Sequence, residues 1–292
     1  MTATLAEPTP ASTPVAVSAG PKQASAWRLY ASELRWILRR PRTVVALTLM
    51  ALVPIAIGIG VTVIGGNAPG RGPAMIMAAV GNGMVLPLAA LTISMTMLLP
   101  LVATMSAADA LAGEASHGTL RGLLMAPVSR VRLVAVKAAG VATVIVIAVS
   151  LIVLLGMITG VVIVGGTEVV TLSGTTLPFL DALGKVGLAA GWVAFQMMAL
   201  AAIALAVSSL TEHPLVVLAA TLGGLIVVQV LGAIPGMEWL QPYLLPTGWT
   251  ALADVLRDPM PWDGLIDSSA KAACYLLIGL SLTFIRMSTK DG

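Results

Sequence analysis

The chain has 292 residues, of which 58% are hydrophobic and only 10% are charged. Soluble domains carry about 25% charged residues, so this chain has too few charges to cover a soluble surface. The composition excludes an ordinary soluble domain and predicts an integral membrane protein. The net charge is +3, but the basic residues lie at the ends of apolar runs and not beside stacking aromatic residues, which argues against nucleic acid as a partner.

The N-terminal part is predicted to hold a tail and an amphipathic helix. Residues 1–22 are rich in Ala, Thr, Pro and Ser, which is typical of a disordered, here cytosolic, tail. Residues 23–41 have an apolar helical stripe and a basic one, which predicts an interfacial helix on anionic lipid. The apolar stripe comprises Trp27, Tyr30, Leu34, Ile37 and Leu38, and the basic stripe comprises Arg28, Arg35 and Arg39.

Residues 42–292 are predicted to form a transmembrane domain with six spans. A span needs about 20 apolar residues, and six stretches of this kind follow one another. They are residues 43–64, 84–105, 133–164, 186–210, 215–233 and 268–287. The second stretch contains Pro87 and Pro100, which can kink a membrane helix without exposing its backbone to lipid.

The distribution of basic residues predicts the orientation. With the N-terminus in the cytosol, four of the 16 lysines and arginines face outward, namely Arg71, Lys185, Arg257 and Lys271. This asymmetry obeys the positive-inside rule. It predicts a multi-pass protein of the plasma (inner) membrane with both termini in the cytosol.

Two connections are more than simple loops. Residues 107–132, on the predicted cytosolic side, are apolar enough for two short helices, broken near Gly118 and Pro127. Residues 234–267, on the outer side, contain three tryptophans and five prolines. That segment is too broken to span and too apolar for a free loop, so it predicts a re-entrant helical hairpin in the outer leaflet.

The sequence shows no catalytic or metal-binding constellation. The one Gly-Lys pair, Gly184-Lys185, lacks the P-loop pattern that would cradle phosphate, so the chain itself is predicted not to be an enzyme and to bind no cofactor. His117 and His213 have no partner at metal-ligand spacing. The spans hold almost no ionisable residue, which weakens an ion-driven carrier because such carriers bind their ion at midmembrane.

The cytosolic segment carries the most informative motif. Glu114 is followed by Gly118-Thr119-Leu120, then by Leu123-Leu124 and Pro127-Val128-Ser129-Arg130, with Lys137 beyond. This series resembles the cytosolic motif of the membrane (permease) subunits of type 2 ABC transporters, and the resemblance extends over nearly the whole chain. Ala115 and Arg121 depart from it, since family members often carry a basic and an acidic residue there.

The resemblance implies a function and partners. In that family the segment forms a coupling helix that docks on a separate ATPase subunit, which binds ATP and Mg²⁺, and two membrane subunits form a homo- or heterodimer. The implied docking residues are Glu114, Gly118, Thr119, Leu120, Leu123, Leu124 and Pro127. The chain would then be the permease of an exporter for an amphipathic or hydrophobic solute, such as a drug, an antibiotic or a lipid-like molecule.

Polar residues in the spans are candidates for the substrate path. They are Asn82, Thr92, Ser94, Thr96, Gln196 and Gln229. Each could equally join two helices by a hydrogen bond, the commoner role of such residues in membranes. Two other functions stay open at this stage, an ion-coupled secondary carrier or channel and a non-transporting membrane scaffold.

Overall fold

A computed structural model describes residues 26–67, 79, 82–116, 130–165, 169–171 and 173–289. Within them the chain forms eight α-helices, and two short strands lie between the fifth and sixth helices. The helices are α1 (Ala26–Arg39), α2 (Pro41–Asn67), α3 (Leu86–Thr96), α4 (Leu98–Ser116), α5 (Arg130–Thr159), α6 (Phe179–Leu210), α7 (Pro214–Ala233) and α8 (Asp263–Thr289). A 3₁₀ turn (Gly83–Val85) precedes α3, and a π-helical turn (Gly160–Val164) extends α5.

Six helices in the described ranges are long and apolar enough to cross a membrane. They confirm the predicted class, an all-α integral membrane protein with six spans. The spanning segments of α4 and α6 are each 67% buried, whereas those of α2, α7 and α8 are 22%, 17% and 22% buried. The centre of the bundle is therefore built around α4 and α6, and the other three helices present most of their surface to the surroundings.

The second span differs from the prediction of one helix over residues 84–105. The chain forms two helices there, α3 and α4, which meet at Met97 (φ −150°, ψ −39°). Pro100 explains the break, because it has no N–H for the carbonyl of Thr96 and its ring crowds that carbonyl. The helical ladder resumes where Leu101 N donates to Met97 O at 3.0 Å. As a result, α4 reaches Ser116, well into the segment predicted to be a connection.

Small residues allow close helix contacts at two places. A Cβ on Gly160 would lie 2.0 Å from Gly83 O, so the 3₁₀ turn and the π-helical turn are in backbone contact. A Cβ on Gly279 would lie 2.5 Å from the carbonyl carbon of Ala202, so α8 lies directly against the backbone of α6. Such close approach is a common way of packing membrane helices.

The end of the bundle that holds the Gly83–Gly160 contact is called the far end here, and the end at which α1 lies is called the α1 end. Between α7 and α8 the far end carries two 3₁₀ helices, Glu238–Tyr243 and Pro246–Leu256. Trp249 in the second is buried, whereas Trp239 in the first is exposed. The segment is thus helical and partly packed on the bundle, and its re-entrance into a leaflet stays a prediction.

A two-stranded antiparallel hairpin, Val169–Val170 with Thr176–Leu177, also lies at the far end. Its turn is fastened to the segment that follows the second 3₁₀ helix. Thr175 Oγ1 donates to Asp258 Oδ2 at 3.1 Å, and Asp258 N donates to Ser173 Oγ at 3.1 Å. These two hydrogen bonds join the connection that follows α5 to the connection that follows α7.

Candidate functional site

A lysine and two glutamates join three helices at the α1 end. Lys137, on α5, is 2% exposed, and its ammonium donates to Glu33 Oε1 on α1 at 2.8 Å. The same ammonium donates to the carboxylate of Glu114 on α4, which is also buried. A buried charge of this kind is tolerated only when it is paired. Lys137 therefore fixes the positions of α1 and α4 relative to α5.

A second ion pair lies beside the first. Arg40, which follows α1, is 3.2 Å from Asp109 Oδ2 on α4, and its guanidinium carbon lies 3.2 Å from the centroid of the Trp36 ring. Burial lowers the pKa of Arg40, and the charge of Asp109 opposes this shift. An arginine starts from so high a pKa that it stays protonated. Arg42, whose side chain is 73% exposed, lies 3.9 Å from Asp109 and contributes little.

These residues form a group that we name the charge cluster: Glu33, Arg40, Arg42, Asp109, Glu114 and Lys137. It contains three acidic and three basic side chains and is therefore neutral in net charge when all are ionised. A cavity of about 340 Å³ opens beside it, with walls from the start of α2, the end of α4 and the start of α7. The cluster lies next to the end of α4, directly before residues 117–129.

α1 packs on the bundle through one face and leaves its arginines on another. Tyr30 Oη and Thr143 Oγ1 on α5 share a hydrogen bond of 2.6 Å, and Ile37 is buried. Arg28, Arg35 and Arg39 are exposed. The predicted apolar stripe is therefore divided, because Trp27, which belonged to it, is 71% exposed.

Sequence reasoning identified part of the charge cluster. The motif named Glu114 and Lys137, but Glu33, Arg40 and Asp109 were missed. A signal existed for Glu33, since it lies three residues after Tyr30 and four before Ile37, on the same helical face. Nothing in the sequence indicated that Asp109 would meet Arg40.

The predicted docking residues are described only in part. Glu114 lies in the structure with its carboxylate directed at Lys137 inside the bundle. Gly118, Thr119, Leu120, Leu123, Leu124 and Pro127 lie outside the described residues. A docking role for the segment stays a prediction, and Glu114 is placed to orient the end of α4.

Three of the six candidate path residues meet at one cavity of about 210 Å³. Thr92 and Thr96 on α3 and Gln229 on α7 line it, together with Met95, Pro246, Trp249 and Thr250. Gln229 Nε2 donates to Thr96 O at 3.4 Å, the carbonyl that Pro100 leaves without its usual partner. The structure therefore brings Thr92, Thr96 and Gln229 together at the break between α3 and α4.

The same cavity offers acceptors, and one of its lining residues carries a buried donor. The hydroxyls of Thr92 and Thr96 donate to Leu88 O at 2.8 Å and Ile93 O at 2.7 Å, which leaves their oxygen lone pairs available as acceptors. Within the described part of the chain, the buried indole N–H of Trp249 has no hydrogen-bond partner. Trp249 was not predicted as a path residue, because it lies in the outer segment 234–267 and is distant in sequence from Thr92 and Thr96.

The other three candidates are not among the lining residues of this cavity. Asn82 is buried before the 3₁₀ turn Gly83–Val85. Ser94 and Gln196 are fully buried, and within the described ranges neither Ser94 Oγ nor either amide atom of Gln196 has a hydrogen-bond partner. Among the described residues, no interhelical hydrogen bond supports Ser94 or Gln196 as a link between helices.

A serine that was not singled out does link two helices. Ser208 Oγ on α6 accepts from Ala112 N at 2.9 Å and donates to Ala108 O at 3.2 Å, both on α4. The bond lies at the α1 end, one to two turns before the end of α4. It strengthens the contact between the two most buried spans.

The six apolar helices, the buried charges at one end and the polar cavity between α3 and α7 define a multi-pass membrane protein. Residues 27–257 match the family described as ABC-2 family transporter protein. The match covers well over half of the chain, and the chain therefore belongs to this family, whose members are membrane permeases of ABC transporters. A comparison with curated proteins finds no significant match.

Proposed function

We propose that the chain is the permease subunit of an ATP-driven exporter that moves an amphipathic or hydrophobic solute. A separate ATPase subunit binds ATP and Mg²⁺ and supplies the energy, so the chain itself is not an enzyme. A drug, an antibiotic or a lipid-like molecule fits this class of substrate. The observation that carries the proposal is the pairing of Lys137 with Glu33 and Glu114.

This pairing suits a coupling device for a physical reason. Lys137 holds α1, α4 and α5 together, and its contact with Glu114 joins the two helices between which the segment with the family motif lies. Removing one partner of a buried ion pair costs about 3–5 kcal/mol, so the three helices resist separation. A displacement imposed on the end of α4 by a docked ATPase would therefore be passed to α1 and α5.

The cavity at the break between α3 and α4 supports the amphipathic substrate class. Its wall is largely apolar, with a few hydrogen-bonding groups from Thr92, Thr96, Gln229 and Trp249. Ligand sites commonly combine an apolar lining with a few placed polar groups. Its 210 Å³ is small for a drug-sized solute, so we propose that a second membrane subunit completes the path in a dimer.

The orientation belongs to the same proposal. With α1 on the cytosolic side of the inner membrane, both termini are cytosolic, and the charge cluster faces the compartment that contains ATP. Arg28, Arg35 and Arg39 then lie on the leaflet for which basic residues are preferred.

The test uses the complex purified from its native membrane and reconstituted in vesicles. We expect Glu114→Lys to abolish the stimulation of ATP hydrolysis by a fluorescent amphipathic cation. The double variant Glu114→Lys, Lys137→Glu restores opposite charges at this contact and is expected to recover part of the stimulation. Glu238→Lys reverses an exposed charge at the far end and serves as the control.

Three results would contradict the proposal. Full stimulation in the Glu114→Lys complex would remove the coupling role of the charge cluster. Solute movement driven by an ion gradient in vesicles without any ATPase would identify a secondary carrier. Absence of transport under both conditions would favour a scaffold.

A further inference from the structure

A third cavity lies at the far end, between the second 3₁₀ helix and the first turns of α8. Its volume is about 400 Å³, the largest of the three cavities described here. Its lining contains four charged side chains, whereas the lining of the cavity beside α3 contains none. The lining residues are Thr247, Gly248, Thr250, Ala251, Ala253, Asp254, Arg257, Gly264, Asp267, Ser268 and Lys271.

Most polar groups of this cavity are already used within the protein. Arg257 pairs with Asp254 at 3.4 Å. Thr247 and Ser268 donate their hydroxyls to backbone carbonyls, Leu244 O at 2.7 Å and Gly264 O at 2.7 Å. Thr250 does the same with Thr247 O at 3.2 Å. The hydroxyl hydrogens are thus donated within the protein, and the Arg257 charge is paired, so these groups shape the cavity.

Two opposite charges are left over. Among the residues that the structure describes, neither Lys271 nor Asp267 has an ion-pair or hydrogen-bond partner, although both line the cavity. They are spaced i and i+4 on α8, a spacing at which such residues often pair, and no ion pair forms between them. The cavity therefore presents one available cation and one available anion side by side.

The position of Lys271 makes an unpaired charge costly. It lies eight residues after the start of α8, about 12 Å along the helix axis, and is half-buried. A Cβ on Gly248 would lie 3.7 Å from Lys271 Nζ, so the ammonium lies against the backbone of the 3₁₀ helix. A cation at a membrane surface is stabilised by a nearby anion, and a lipid phosphate is an anion that the headgroup layer supplies.

The surrounding surface is also that of a lipid site. Trp239, Tyr243 and Trp262 are exposed at the same end, as aromatic side chains are at the headgroup layer. Below Asp267 and Lys271, the same face of α8 continues into exposed apolar residues. These are Cys274, Ile278, Leu282 and Ile285. An acyl chain can lie along this face while the headgroup occupies the cavity.

We infer that this cavity binds the headgroup of a phospholipid that carries a primary amine, with the phosphate at Lys271 and the ammonium at Asp267. Asp267 lies one turn closer than Lys271 to the start of α8, at the far end. This order matches the headgroup, in which the ammonium lies farther from the acyl chains than the phosphate does. Phosphate and primary ammonium are also present in free phosphoethanolamine, and the acyl chain distinguishes the two sources. The inference does not depend on the proposed transport function.

The test measures lipid binding to the delipidated full chain, with any subunits that co-purify, by native mass spectrometry. The probes are short-chain phosphatidylethanolamine, short-chain phosphatidylglycerol and phosphoethanolamine. Because a hydrogen bond to a charged group contributes more to binding than a neutral one, we expect Lys271→Met to weaken phosphatidylethanolamine binding about tenfold or more. Lys271→Arg retains the charge and is expected to retain binding.

The anionic side chain has its own variant. Asp267→Asn is on the exposed side of α8 and is expected to fold, while losing the preference for phosphatidylethanolamine over phosphatidylglycerol. Lys185→Met is the control, since its ammonium lies at the same end and already donates to Arg257 O at 2.8 Å. Unchanged binding in Lys271→Met, or a preference of the wild type for phosphatidylglycerol, would overturn the site. Phosphoethanolamine binding as tightly as the lipid would overturn the assignment to a lipid.

Discussion

Lys137 Nζ lies 2.8 Å from Glu33 Oε1, although the two residues are 104 positions apart in the chain. The contact joins α1 to the first turns of α5, and the same ammonium also holds Glu114 at the end of α4. An N-terminal helix that could have rested on the membrane alone is therefore part of the bundle.

The first prediction concerns the buried ammonium. Lys137→Met would leave the buried carboxylate of Glu114 and the partly buried carboxylate of Glu33 without their cation, and we expect it to lower the free energy of unfolding by about 3–5 kcal/mol. Thermal unfolding in detergent measures the change. The triple variant Glu33→Gln, Glu114→Gln, Lys137→Met removes the charges together and is expected to be more stable than the single variant. A loss no larger than that of Lys185→Met would contradict the role of the cluster.

The second prediction concerns the attachment of α1. Tyr30→Phe removes the hydrogen bond to Thr143 and keeps the ring, so we expect a loss of about 0.5–1.5 kcal/mol. The effect should be local, with faster protease cleavage near α1 and little change at the far end. Tyr243→Phe, at an exposed site on the far end, is the control. Equal cleavage rates in the two variants would show that this bond does not hold α1.

The third prediction concerns the contact between α6 and α8. Gly279→Ala would place a Cβ 2.5 Å from the backbone of Ala202, and overpacking of this kind costs about 1–3 kcal/mol. Gly191→Ala is the matched control, because nothing lies within 4 Å of its Cβ. There the replacement should be neutral or stabilising by up to about 1 kcal/mol, since alanine favours the helix. Equal melting temperatures of the two variants would be inconsistent with this packing.

The fourth prediction concerns the cavity at the break between α3 and α4, and it depends on the proposed function. Trp249→Phe removes the indole N–H and retains an aromatic ring. We expect the concentration of solute that half-stimulates ATP hydrolysis to rise by up to about tenfold, as for the loss of one hydrogen bond to the solute, with the unstimulated rate unchanged. Trp239→Phe, which alters an exposed ring, is the control. A changed unstimulated rate with an unchanged half-stimulating concentration would exclude solute contact.

The predictions from sequence were most successful for the membrane spans, whose length and composition are determined by the lipid around them. Six apolar stretches became six spanning helices, because lipid demands a run of about 20 apolar residues whatever the neighbours are. The second stretch was the exception in its bounds. Pro100 indicated a kink, but hydropathy could not show that the helix restarts at Leu98 and continues to Ser116.

The faces of α1 show where periodicity was insufficient. The spacing of Trp27, Tyr30 and Ile37 predicted a single apolar stripe on lipid. In the structure Tyr30 and Ile37 contact the bundle, and Trp27 does not. An apolar side chain is equally suited to lipid and to protein, so the pattern could not distinguish the two environments. Glu33 was missed for a different reason: an acidic residue on a surface helix is usually solvated, although this one shares the helical face of Tyr30 and Ile37.

By itself, the sequence determined the class of protein, the number of spans and the family, because composition, hydropathy and a local motif are properties of the chain in order. Only the tertiary structure decided which charges and polar groups meet. Glu33 and Lys137 are 104 positions apart, and Thr96 and Gln229 are 133 apart. Contacts over such separations depend on how helices pack against one another, and no local pattern in the chain specifies that packing.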